Sequence, residues 1–217
     1  MSAKKALVRA FMGALAISVL MGSSTVNAQS TGKQMMMKVD EAWMTSTLAS
    51  WPETPRKVAQ TIAAKYGMPN EGTSSMLVWY NNGPWKRTIV YRQEVQHAFP
   101  APHTDLLQQS IDYRVPTNKF DALGKYDGSV VVERTNGEIS ARCDKEEANF
   151  LALNLADDVI KGKKTTEQAR DFYVMAIKMA TEEGKMSPYM QRLNFKPPMG
   201  GTADPDQAKI KPMTKSR

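Results

Sequence analysis

One cysteine and two histidines are all this chain of 217 residues holds of its most reactive side chains. A single cysteine, Cys143, excludes an internal disulfide, so packing alone must hold the fold. Two histidines, His97 and His103, confine any imidazole chemistry to one stretch, "VQHAFPAPHTD", residues 95–105. Long apolar runs are missing too. The apolar stretch "FMGALAISVLMG" at 11–22 is shorter than the ~20 residues a membrane-spanning helix wants, and no later segment is more apolar. There is no G-x-S-x-G elbow, no H-E-x-x-H, no P-loop and no dinucleotide fingerprint. The usual hydrolase, zinc-protease and nucleotide-phosphate signatures are therefore excluded.

What is present begins with a leader. Lys4, Lys5 and Arg9 precede the apolar stretch without any acid, and Val26 and Ala28 stand at the −3 and −1 positions before Gln29. This is the pattern of a secretory signal peptide over 1–28, cleaved after Ala28. No cysteine lies near the cleavage point to carry a lipid anchor. The expected product is periplasmic or secreted, without a transmembrane segment.

The charge excludes another class. The formal net charge is +7, of which the leader supplies three and the segment from Lys196 onward three more, leaving +1 for residues 29–195. A nucleic-acid binder concentrates positive charge on its folded face, because phosphate neutralisation dominates its affinity. Nucleic acid is therefore not an expected partner.

Residues 29–195 suit one domain. Before it, "QSTGKQMMMK" (29–38) reads as a leader, and Asp40–Ala49 as a helix. In "TPRKVAQTIAAKYGMP", Thr54 and Pro55 open a helix and Gly67 closes it. Around "NNGP", two runs rich in β-branched and aromatic residues predict a hairpin turning near Asn82 and Gly83. Thr104 or Asp105 is expected to cap a short helix through Gln109, and Thr117 to start another with Phe120 and Leu123. Asn136-Gly137 predicts a second hairpin with a two-residue turn. That turn opposes Thr135 to Glu138, Arg134 to Ile139, Val132 to Ala141 and Val130 to Cys143. Alternation then buries Val130, Val132, Ile139, Ala141 and Cys143 and leaves Glu133, Glu138 and Arg142 in solvent. Two helices follow, opened by Asp144 with Glu147 and by Thr165 with Gln168. From Lys196 the chain has few apolar residues and is expected to be a disordered basic tail. The fold class expected is α+β: two antiparallel hairpins forming a small sheet packed against several helices.

Three groups of residues could carry chemistry. His97 and His103 could share a metal, with Asp105 or Glu94 adding an oxygen, although zinc needs three or four ligands. Cys143, placed just before a helix, could be an activated nucleophile, but its side of the hairpin favours an inert buried thiol. Trp79, Tyr80 and Trp85, with Lys86 and Arg87 beside them, could form an aromatic binding surface or pack as core. The carboxylates Asp127, Glu133, Glu138 and Asp144 read as a surface charge lattice rather than a glycosidase pair.

At "KYGMPNEGTSSMLVWYNNGPWKRTIVYR" the chain resembles a group of exported bacterial proteins of unknown function. That resemblance implies export and a shared fold and carries no activity. Gly67, Pro69 and Trp79 also resemble the helix, Gly-x-Pro and strand arrangement of the outer-membrane assembly lipoprotein and β-lactamase-inhibitor-like modules. The function expected is a non-catalytic exported module that binds an envelope protein or small ligand through Trp79, Tyr80, Trp85, Arg87, His97 and His103. No catalytic residue, cofactor or metal ligand is assigned. The alternative is a metal-dependent hydrolase or metal-binding protein built on the His97/His103 loop.

Overall fold

The computed structural model describes residues 39–210. The expected signal peptide, the segment 29–38 and residues 211–217 lie outside that range. Among the described residues, helices α1 (Glu41–Leu48) and α2 (Glu53–Tyr66) precede strands β1 (Glu71–Gly72), β2 (Met76–Asn82), β3 (Trp85–His97) and β4 (His103–Asp112). Helix α3 (Phe120–Tyr126) leads into β5 (Val130–Glu133) and β6 (Glu138–Cys143). Then come α4 (Glu146–Ile160), α5 (Thr166–Glu182) and the short α6 (Pro188–Gln191). The strands form one antiparallel sheet in the order β1-β2-β3-β4-β6-β5. The architecture is α+β, as the patterning predicts.

Both core clusters lie on one sheet face. The ladder aligns Leu77, Val90, Leu107 and Cys143 across four strands, and Trp79, Thr88, Gln109, Ala141 and Val130 across five. Helices α1 and α2 cover the β2–β4 part of this face with Met44, Leu48, Ala59 and Ile62. Helices α3 to α6 cover the β4–β6 part with Leu123, Leu151, Leu155 and Tyr173. Tyr66 packs against both clusters and joins them. The opposite face carries polar contacts: Tyr91 donates to Gln108, Gln108 to Ser140, and the Arg142 guanidinium lies 4.2 Å from the Tyr91 ring centroid.

Several expectations need correction, among them the Thr54 cap, since α2 begins at Glu53 and Thr54 lies inside it. The segment 104–109 is not a helix but the middle of β4, the strand that joins the two hairpins into one sheet. Its period is masked because Leu106 and Leu107 are both buried and the polar Gln109 and Ser110 are buried with them. The second hairpin pairs Glu133 with Glu138 and Val132 with Ile139, two residues away from the tight register expected at Asn136-Gly137. A shift of two preserves alternation, so the same residues stay inward. Glu138 is nonetheless buried, held by Lys86 at 2.8 Å and Arg87 at 2.7 Å, not solvated. Residues 200–206, in the segment read as a tail, make contacts with Arg114 and the second hairpin. Arg114 donates to the carbonyls of Gly201, Thr202 and Ala203, and Arg134 pairs with Asp204 and Asp206. At the helix ends, Thr165 and Gln168 form the expected reciprocal cap, whereas α4 begins without a side-chain cap from Asp144.

Candidate functional site

The aromatic residues of the first hairpin divide between core and surface. Trp79 and Trp85 are each 1% exposed. The Trp79 indole donates to the Gly67 carbonyl at 2.8 Å, and Trp85 stacks on Phe150 at 4.8 Å while donating to Glu146. Burial with a satisfied N–H makes both of them structural, so neither presents a ring to a ligand. Asn81, at φ 52°, twists the hairpin end, and Asn82 donates to Thr88 on the helix-covered side where Trp85 also lies. Tyr80 is exposed, its hydroxyl near Glu71, and Arg87 is occupied by Glu138. The hairpin therefore does not form the aromatic surface considered from the sequence.

The histidine stretch is organised differently. It is the connection of the β3–β4 hairpin, and the ladder sets His97 directly opposite His103. Alternation then places Asp105 on the same side as His103, two pairs along the ladder, where it opposes Val95. A hairpin thus brings two imidazoles and a carboxylate together from positions that no helical spacing relates. The loop is pinned from outside: the Phe99 ring lies 3.8 Å under the Arg170 guanidinium and 5.4 Å from the Tyr173 ring.

Asp105 is the centre of the cluster and is 4% exposed. His97 Nδ1 stands 3.3 Å from its Oδ2, and His103 Nε2 3.1 Å from its Oδ1. The Ser129 hydroxyl donates to Oδ2 and also contacts His97 Nδ1 at 3.2 Å. A hydroxyl has one proton, so the N–H in that contact belongs to His97. His103 Nδ1 donates to the Ala101 carbonyl at 2.8 Å. The imidazole rings lie 5.0 Å apart. Despite the nearby nitrogen, Asp105 Oδ1 has no aligned hydrogen-bond donor.

Electrostatics follow this geometry. The Asp105 carboxylate, helped by the Cys143 thiol, pushes His103 up to about 11, against the opposing effect of burial. Burial pushes the Cys143 thiol up, and burial likewise raises Asp127, a second buried carboxylate whose Oδ1 accepts from the Ser129 backbone N–H.

One ligand atom from each of His97, His103 and Asp105 lies within 4.8 Å of the others. Zinc–nitrogen bonds of 2.0–2.1 Å put tetrahedral donor atoms roughly 3.3 Å apart. Here His97 meets Oδ2 and His103 meets Oδ1, so an ion held by one carboxylate oxygen would draw one imidazole inward. A serine-type triad does not fit, because Ser129 and His97 meet the same carboxylate oxygen instead of forming a relay. Asp105 was readable from the sequence as an extra oxygen donor. Ser129 was not, because nothing in its local pattern ties it to a strand 24 residues away.

Comparison with protein-family models, with curated proteins and with solved structures finds no match to this chain.

Proposed function

We propose that this protein is an exported, non-catalytic binding module whose ligand is a divalent transition-metal ion, held by His97, His103 and Asp105. The observation that carries the reading is that one ligand atom from each of His97, His103 and Asp105 lies within 4.8 Å of the others around a carboxylate that is 4% exposed. A buried carboxylate of this kind is costly unless a cation or hydrogen bond satisfies it. Two imidazoles and a carboxylate are the donor set that suits zinc and its first-row neighbours. Export is supported by the leader pattern of Lys4, Lys5, Arg9, Val26 and Ala28. The predicted mature N-terminus is Gln29, which mass spectrometry of the recovered protein checks.

Thermal melts with zinc, with EDTA and with neither test the binding. An ion at a hundredfold its dissociation constant adds about 2.7 kcal/mol to stability. For a chain of this size each kcal/mol moves Tm by roughly 2–4 °C. Zinc should therefore raise Tm by several degrees in the native protein and leave His97→Ala and Asp105→Asn unmoved. Identical melts in all three conditions would reduce the cluster to a hydrogen-bonded brace for the loop.

A further inference from the structure

We propose that residues 200–206 occupy, in cis, a groove that takes an acidic segment of another protein. The groove lies at the opposite end of β4 from His103, where Asp112 opposes Glu138, and is independent of the histidine site. The segment reads Gly-Gly-Thr-Ala-Asp-Pro-Asp, and two arginines hold it. Arg114 donates to the carbonyls of Gly201, Thr202 and Ala203, contacts that read the backbone and no side chain. Arg134 pairs with Asp204 at 3.2 Å and Asp206 at 2.6 Å, contacts that read two acids spaced two apart. The Asp204 N–H donates to the Thr135 carbonyl, and the Gly200 N–H to Asp112 Oδ2. The guanidinium fork suits acceptors of both kinds.

The segment is held as a bound peptide is held, not as a core element is. It contributes no residue to either apolar cluster. Thr202 is the one buried residue of 200–210, and Met199 and Ile210 on either side are 93% and 85% exposed. Ion pairs this open to solvent are each weak and are screened by salt. A cavity of about 400 Å³ remains between the segment and the body, lined by Tyr113, Val115, Pro116, Val132, Thr202 and Asp204. The segment's small side chains leave that apolar wall partly uncovered. A partner segment with a larger apolar side chain at the Thr202 position would bury more of it and displace the cis segment. Gly137, which has no Cβ, lets the backbone at Thr202 approach this closely.

A fluorescein-labelled peptide of residues 199–207, added to the full chain and followed by anisotropy, tests the proposal. Asp204→Asn with Asp206→Asn removes the acids from the cis segment and leaves both arginines in place. The double variant should bind the peptide at least about tenfold more tightly than the native chain, whose own segment competes at a high effective concentration. Added salt should weaken that binding, and Arg134→Ala in the same background should abolish it. Limited proteolysis reads the release itself: the double variant should be cut within 200–206 faster than the native chain. Equal peptide binding by the two chains, or a segment still protected in the double variant, would make 200–206 a fixed part of the fold and overturn the proposal. Concentration-dependent dimerisation of the native chain, lost in the double variant, would give the groove to the segment of a second copy and overturn the assignment to another protein.

Discussion

Glu146 shows how much a single side chain organises here. It is 5% exposed, yet its carboxylate receives Tyr66 and Trp85 at 2.6 Å each, Gln109 at 3.1 Å, and the Lys65 ammonium. Oε1 takes three of these donors, Tyr66, Trp85 and Gln109, and Oε2 takes Lys65. In Glu146→Gln the amide oxygen can keep the first position, but the charge is lost and the amide N–H groups face the Lys65 ammonium. Hydrogen bonds to a charged group contribute about 1.5–3 kcal/mol, so a loss of about 2 kcal/mol is expected in urea unfolding. The pH dependence has a definite sign. Burial pushes the Glu146 carboxyl up, but Lys65 and the hydrogen bonds from Tyr66 and Trp85 outweigh it and hold the group below its ordinary value of 4.5. The unfolded chain therefore takes up the proton first as pH falls. The stabilisation is present above the ordinary glutamate range and is lost as pH falls through the lower folded value. In Glu146→Gln, stability should decline less steeply in acid. An unchanged acid profile would show that other carboxylates dominate.

At the scale of elements, the second hairpin and the segment 200–206 stabilise each other. Gly137 has φ +66°, and a Cβ there would stand 2.0 Å from the Thr202 carbonyl oxygen. Both the backbone conformation and the close approach require glycine. Gly137→Ala should push the segment off the hairpin and expose 200–206 to limited proteolysis, while the sheet still melts cooperatively. Arg114→Ala should produce the same cleavage without touching the turn, because Arg114 holds three successive carbonyls of that segment. Protection from protease in both variants would mean that the Arg134 pairs with Asp204 and Asp206 suffice. The elements legible in the sequence were those with strong local signals. Helix α5 has a reciprocal cap and a periodic apolar face, and the 117–126 helix was placed from Thr117. Strand β4 has no clear local signal because its inward residues include Asp105 and Gln109, whose burial only long-range partners can offset.

The whole molecule should unfold as one unit. Two apolar clusters share one sheet, and Tyr66 packs into both while donating to Glu146. Trp51 and Trp79 report on one cluster and Trp85 on the other. Tryptophan fluorescence and far-ultraviolet circular dichroism should give coincident urea transitions. Two separated midpoints would show that the α1–α2 layer melts independently.

The sequence by itself determined the α+β class, the places of the two hairpins, the inward residues of β6 and the concentration of imidazole in one loop. Each follows from periodicity, turn chemistry or composition, which are local. The tertiary structure alone decided that Trp79 and Trp85 are core, that Glu138 and Glu146 are buried, and that Ser129 stands beside His97 and Asp105. Those facts depend on which strands lie side by side. Adjacency of β3, β4 and β6 comes from closing the sheet across distant segments, and no local pattern encodes it.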